Sequence, residues 1–238
     1  MSLTLIAKSD QDQELHLRKS TQGPEISLVK GFIHSLELQD ARKKPKLAKF
    51  VFLEPEIDSG YPDIVEIQIN TDFINNWVPD RNKLRTQDFR ILSFLIRYPG
   101  RDVGEIHDSL GFKRTDIINS LDLLETCHMA YLRSKVWRTE NLHSFFGIRK
   151  LIAIEAKMSD NRTAIHQAFR NTRFASQSYV LLGANSPSPK TVANSERFGI
   201  GIIAGDHFKK ITVAQKRPIP GNYVTLQFNE WIGRKIIG

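Results

Sequence analysis

The chain alternates between stretches whose apolar residues recur every three or four positions and short runs that are apolar almost throughout. The first kind predicts helices and the second strands. Over 23–40, Ile26, Val29, Ile33 and Leu36 share one side behind a Gly-Pro start, which predicts a helix. Residues 49–57 and 62–70 are strand-like runs joined by Asp-Ser-Gly-Tyr. Upstream, 1–22 is polar and weakly patterned apart from a short strand at 3–7, and 41–49 is a basic loop broken by Pro45. From Phe146 the alternating helix-and-strand texture returns, with a strand at 150–157 followed by a helix over 160–178 with Asp160 or Asn161 as its cap. A buried strand at 179–184, a loop or short helix at 185–197, and strands at 198–205 and 211–217 come next. The last stretch, 223–238, follows neither period clearly.

The middle of the chain has a different texture. Residues 85–100 carry Phe89, Leu92, Leu95 and Ile96 on one stripe and stop at Pro99-Gly100. A short helix over 102–112 ends near Gly111, and a third over 113–130 turns Ile117, Leu121 and Leu124 inward. Residues 131–142 then read as strand, turn, strand. Three short helices, a tight turn before the third and a basic hairpin make a winged helix-turn-helix pattern. The expected organisation is an α/β domain in two pieces, 1–70 and 145–238, with 71–144 inserted between them.

Net charge changes the picture modestly. A formal charge of +8 and a pI near 9.6 point to an anionic partner, nucleic acid ahead of a membrane surface. The lone cysteine, Cys127, falls in a helical pattern and reads as a core residue of a reducing compartment. No apolar run reaches membrane-spanning length, and the first residues lack a signal peptide's apolar core, so the expectation is a soluble, cytoplasmic protein. The histidines are scattered, with no Cys/His metal spacing. The glycines of "FGIGIIAG" lack a phosphate-binding helix after them and instead suggest a strand crowded by a neighbour.

The chemistry concentrates in "KLIAIEAK". Residues two apart on a strand share a face, so Glu155 and Lys157 stand together at the charged end of an apolar run. One carboxylate is a poor site for a hard divalent cation. The acid placed to complete it is Asp63, which follows Pro62 at the start of a strand and heads the row Val65, Ile67, Ile69.

Pro62-Asp63 followed by Glu155-Ala156-Lys157 resembles the signature of the PD-(D/E)XK, or restriction-endonuclease-like, nuclease superfamily. The order helix, strand, strand with the acid, strand with E-x-K, helix, strand is similar to that family's core. The acids lie 92 positions apart (155 − 63) because the winged helix-turn-helix segment intervenes. The resemblance implies a mixed sheet flanked by helices and a metal-dependent DNA endonuclease. Asp63, Glu155 and Lys157 would be catalytic. Asp63, Glu155 and the backbone carbonyl of Ala156 would hold Mg²⁺ (or Mn²⁺), with Glu25 matching the extra acid that many members carry on their first helix. Gln167 and Asn171, four residues apart on a helix, would support these ligands. In the inserted segment Lys113, Arg114, Thr115 and Asn119 would meet DNA from the third helix, and Arg133, Lys135 and Arg138 from the wing. Lys43, Lys44 and Lys46 would add phosphate contacts. The expected partner is double-stranded DNA, and cutting both strands implies a homodimer. The alternatives are a catalytically inactive DNA-binding regulator on the same scaffold and a protein that takes RNA in the groove.

Overall fold

The computed structural model describes residues 3–7, 16–17, 23–41, 47–57, 60–159, 162–183 and 186–238, excepting the side chains of Ala41 and Arg162. Lys43, Lys44, Lys46, Asp160 and Asn161 lie outside the described residues. Along the chain run β1 (Thr4–Ile6), α1 (Pro24–Ala41), β2 (Ala48–Leu53) and β3 (Ile64–Ile69). Two 3-10 turns follow, Thr71–Asn76 and Pro79–Lys83, then α2 (Thr86–Arg97), α3 (Val103–Leu110), α4 (Arg114–Thr126), β4 (Ala130–Arg133), β5 (Val136–Thr139) and α5 (Leu142–Phe145). The chain finishes with β6 (Ile148–Lys157), α6 (Arg162–Asn171), β7 (Gln177–Leu182), α7 (Pro189–Phe198), β8 (Gly201–Ala204), β9 (Lys209–Thr212) and α8 (Tyr223–Ile237). No helix among the described residues is long and apolar enough to cross a membrane.

Seven strands form one mixed sheet in the order β1-β2-β3-β6-β7-β8-β9. β2 and β3 are antiparallel, while β6, β7 and β8 run parallel. The Asn70 N–H donates to the Gly147 carbonyl at one end of the β3–β6 pair, and the Asp63 carboxylate meets the Ala156 N–H at the other. Those two contacts make the pair antiparallel. Parallel strands with both faces covered need apolar residues at nearly every position, which is the pattern of "LIAIEA" and "SYVLL".

Helices cover both faces. On one, Phe32, Ile33 and Leu36 of α1 pack with Val51, Ile64, Ile152, Ile154, Tyr179 and Leu181. On the other, Ala164, Ile165 and Ala168 of α6 meet Val180, Leu182, Ile202 and Ala204. Each fully buried Ile, Leu or Phe in these layers contributes about 1.5–3 kcal/mol. Segment 185–197 resolves into α7, because the Ser188 side chain accepts from the Thr191 N–H, Pro189 starts the helix and Gly199 ends it in the left-handed region at φ 67°. Gly201 bears out the crowding expected of "FGIGIIAG": a Cβ there would lie 2.1 Å from the Tyr179 ring and 2.8 Å from the Ala214 nitrogen. The predicted strands 198–205 and 211–217 are shorter and displaced, as β8 and β9. Residues 213–217 run on with single bonds, Gln215 N–H to the Gly199 carbonyl and Arg217 N–H to the Ser176 carbonyl.

The chain divides into two units, Met1–Ile69 with Arg149–Pro220, and Asn70–Ile148 with Gly221–Gly238. In the second, α2, α3 and α4 pack on one another, with β5 against α2 and β4 against α4. Asp102 and Glu105 close the start of α3 by reciprocal hydrogen bonds, and Gly111 ends it at φ 72°. Ser134 and Lys135, both with positive φ, make the two-residue turn between β4 and β5.

The C-terminal segment departs from expectation, since Gly221–Gly238 groups with the inserted segment and not with the sheet. It forms α8, started by Asn222, and packs on α2. Ten successive residues, Val224 to Gly233, are buried, so no polar face marks a helical period. The anchor is electrostatic. Arg81, fully buried, donates from Nε (3.0 Å) and Nη2 (2.6 Å) to the Glu230 carboxylate and from Nη2 to the Phe145 carbonyl (3.0 Å). Asn229 donates to both Glu230 and Phe145 and accepts from the Gly147 N–H. The guanidinium also lies 4.2 Å from the Trp77 ring centre.

Removing one member of such a buried pair strands the other's charge. Glu230→Ala is expected to cost about 3–5 kcal/mol of stability, read as a lower urea midpoint. Gly201→Ala is expected to destabilise by about 1–3 kcal/mol, because Tyr179 and the Ala214 backbone must both shift; a thermal melting curve measures it.

Candidate active site

β3 and β6 bring remote residues together. Asp63, one residue before β3, accepts a hydrogen bond through Oδ2 from the Ala156 N–H at 2.6 Å. Alternation along β3 puts Asp63 with Val65, Ile67 and Ile69, opposite the face on which Ile64 meets α1. Alternation along β6 puts Glu155 opposite Ile154 and Ala156, which also face α1. Standing just before β3 begins, Asp63 also borders the α1 side, where it lines a pocket with Glu25, Val29 and Lys30, and its charge acts on Glu155 across the ends of the two strands. The bonds from Ser176 and Gly183 to the Leu151 and Lys157 carbonyls turn odd-numbered peptide groups of β6 toward β7. The Ala156 peptide groups consequently point toward β3, with the amide occupied by Asp63.

Glu155 is 5% exposed, and its Oε1 accepts from Asn171 Nδ2 of α6 at 2.7 Å. Its pKa is pushed up to about 7, chiefly by burial and next by the negative charge of Asp63. The Asn171 bond and the Lys157 and Arg170 charges oppose that rise. Lys157, the last residue of β6, reaches Glu25 in the first turn of α1 at 3.3 Å. That pair is partly exposed and adds little stability, so its consequence is position: it holds the ammonium at the open end of the strand.

Of the residues singled out from the sequence, Asp63, Glu155, Ala156, Lys157, Glu25 and Asn171 thus form one connected set. Glu25 meets the lysine, and among the described residues no group of three or more His, Cys, Asp or Glu side chains is placed to hold a metal ion. The oxygen donors assembled here are Asp63, Glu155 and the Ala156 carbonyl, a hard set that suits Mg²⁺ or Mn²⁺. Gln167 lies one helical turn before Asn171 with its Oε1 buried and without a hydrogen-bond partner; among the described residues the side-chain donor to Glu155 is Asn171. Lys30 and Glu54 line a pocket with Glu25 and Asp63, and Glu54 holds a left-handed φ of 47° while its N–H donates to the Asp63 carbonyl. No motif marks Lys30 or Arg170; only the packing of α1 and α6 brings them near. Cys127 is 1% exposed, and burial pushes its thiol up to about 12, which removes it as a nucleophile.

In the second unit, Lys113 immediately precedes α4 without a side-chain capping bond, and Arg114, Thr115 and Asn119 follow on its surface. All four are exposed. Arg133, Lys135 and Arg138 are exposed on the β4–β5 hairpin, with Lys135 at its tip and the Arg138 guanidinium against Gly100. Ile118 and Leu132 are exposed among them. Comparison with protein-family models, curated proteins and solved structures gives no match to this chain.

Glu155 carries a test of its own. A carboxyl with a raised pKa stabilises the folded chain while neutral, below its ordinary value of 4.5, and that contribution is lost as pH climbs to about 7. Glu155→Gln is therefore expected to gain stability relative to the natural chain across that window, by on the order of 3 kcal/mol, and to hold the gain above it. Denaturant midpoints at pH 4.5, 6 and 8 without divalent metal measure the trend.

Proposed function

We propose that this protein is a metal-dependent endodeoxyribonuclease of the PD-(D/E)XK type, whose second unit is a winged helix-turn-helix that engages double-stranded DNA. The observation that carries the reading is the bond from the Ala156 amide to the Asp63 carboxylate. It joins two half-motifs 93 positions apart into one oxygen-rich corner beside a lysine. Asp63, Glu155 and the Ala156 carbonyl would hold Mg²⁺ or Mn²⁺. Such an ion, when bound, polarises a phosphoryl oxygen and lowers the pKa of the attacking water.

The chain's own residues set the conditions for that chemistry. Glu155 must give up its proton before it can hold a cation, so metal affinity and the proton compete at one carboxylate. Asn171 holds that carboxylate through Oε1, fixing its orientation. Lys157 places a positive charge where negative charge grows on the phosphoryl group in the transition state, and Glu25 keeps the ammonium there between turnovers. The exposed Lys113, Arg114, Arg133, Lys135 and Arg138 supply phosphate contacts, with Thr115 and Asn119 set to read base edges. Cleavage of both strands calls for a homodimer, one site for each.

Supercoiled plasmid with Mg²⁺ or Mn²⁺ tests the reading. The natural chain is expected to nick and linearise it. Asp63→Asn, Glu155→Gln and Lys157→Ala should each slow cleavage by roughly 100-fold or more while retaining duplex affinity in EDTA. At limiting Mg²⁺ the rate should rise through pH 7 as Glu155 ionises, and added Mg²⁺ should shift that rise to lower pH. Unaltered cleavage by Glu155→Gln would defeat the assignment, and duplex binding without any metal-dependent cleavage would leave the inactive regulator.

A further inference from the structure

The α1-covered face of the sheet is apolar beneath the helix but changes character toward the start of β6. Strand register places Lys49, Gln68, Lys150, Gln177 and Lys216 on that face. Lys49 pairs with Gln68 and alternates with Val51; Lys150 alternates with Ile152; Gln177 alternates with Tyr179. Lys216 alternates with Ala214, and the successive bonds Ser176 N–H to Leu151 carbonyl and Arg217 N–H to Ser176 carbonyl set it two strand spacings from Lys150. Lys210 leans in from β9, its ammonium 5.5 Å from the Tyr179 ring centre. From Lys49 to Lys216 the row crosses four strand spacings, roughly 19 Å. Lys150 lies five residues along β6 from Glu155, roughly 17 Å from the candidate active site.

The charge of this row is not balanced. Among the described residues facing it are two carboxylates, Asp40, 3.0 Å from Lys49, and the buried Glu66, which accepts from Gln68. Lys150 is half-buried, and its pKa is lowered by burial and by Lys210, Lys216 and Lys49, against the opposing pull of Glu66. Lys210 and Lys216 are exposed. Lys49 is held by Asp40 with only 15% of its side chain exposed, so the cations left to meet a ligand are Lys150, Lys210 and Lys216; the Lys210 backbone lies level with Ile203 and Leu181, and its side chain reaches back toward the other two across Tyr179. Duplex DNA presents about one negative charge per 1.7 Å of axis, so cations spaced over a patch of this kind can meet successive phosphates of its backbone.

We infer that Lys150, Lys210 and Lys216 form a second DNA contact, a sequence-independent backbone clamp on the sheet face remote from Glu155. The choice of DNA rests on the proposed nuclease function, while the clamp itself does not use the catalytic residues. Its effect is to hold a duplex by phosphates at a place where no cleavage occurs, lengthening the bound tract beyond the one at the site.

The test is the affinity of the full chain for a 30-base-pair duplex, by fluorescence anisotropy in EDTA from 50 to 300 mM salt. Lys150→Gln/Lys210→Gln/Lys216→Gln is expected to weaken binding on the order of 10-fold at 100 mM salt, and to flatten the log–log salt slope by roughly 2 to 3. The corresponding triple Lys→Arg variant should restore both, and thermal melting of each variant checks folding. An unchanged slope in a folded Gln variant overturns the clamp. So does retained DNA affinity with lost binding of inorganic pyrophosphate, which would make the row a small-anion site. Because EDTA removes cleavage from the measurement, a failed clamp leaves metal-dependent nicking intact, and an absent nuclease activity leaves the slope comparison readable.

Discussion

The antiparallel pairing of β3 with β6 is the constraint on which the site depends. Asp63 stands at the beginning of one strand and Glu155-Ala156-Lys157 at the end of the other, so only antiparallel neighbours bring them to the same sheet edge. The pairing survives the long interruption because the chain leaves β3 and re-enters β6 through adjacent backbone, Asn70 bonded to Gly147. Loop-closure entropy grows slowly with length, so a folded segment spanning close ends burdens the sheet little.

The site's electrostatics follow from that edge. Glu155 is buried because its strand is covered on both faces, and it has Asp63 beside it because of the pairing. Burial first, and the charge of Asp63 second, raise the pKa of Glu155. The neighbouring groups oppose that rise from different layers: Asn171 and Arg170 from α6, Lys157 from the strand itself. Under the proposed function, a carboxylate whose pKa lies near 7 is poised to exchange a proton for a cation.

The second unit is built on a different principle. Its helices and hairpin pack by ordinary apolar stripes, but α8 is held by Arg81, Glu230 and Asn229, a fully buried polar network closed by backbone groups of Phe145 and Gly147. A buried charge pair specifies a partner more than it adds stability, since a hydrophobic substitute would pack as well. Joining 81 to 230 fixes which segments belong together.

Local pattern alone determined much of this protein. The helical stripes of α1, α2 and α4, the alternation of β3, the apolar run of β6, the Gly111 stop of α3 and the crowded glycine at 201 are legible because each depends on neighbours a few residues away. The pairing of Pro62-Asp63 with Glu155-x-Lys157 was legible only as a resemblance, since no periodicity links residues across an insertion. Tertiary structure alone decided the rest. It set the membership of α8, whose buried surroundings erase the polar face that would reveal a helix. It turned Glu25 to the lysine and Asn171 to Glu155, because helix rotation against the sheet chooses the partner. It also brought Lys150 near Lys210 and Lys216, because side chains on separate strands become neighbours only when the sheet is assembled.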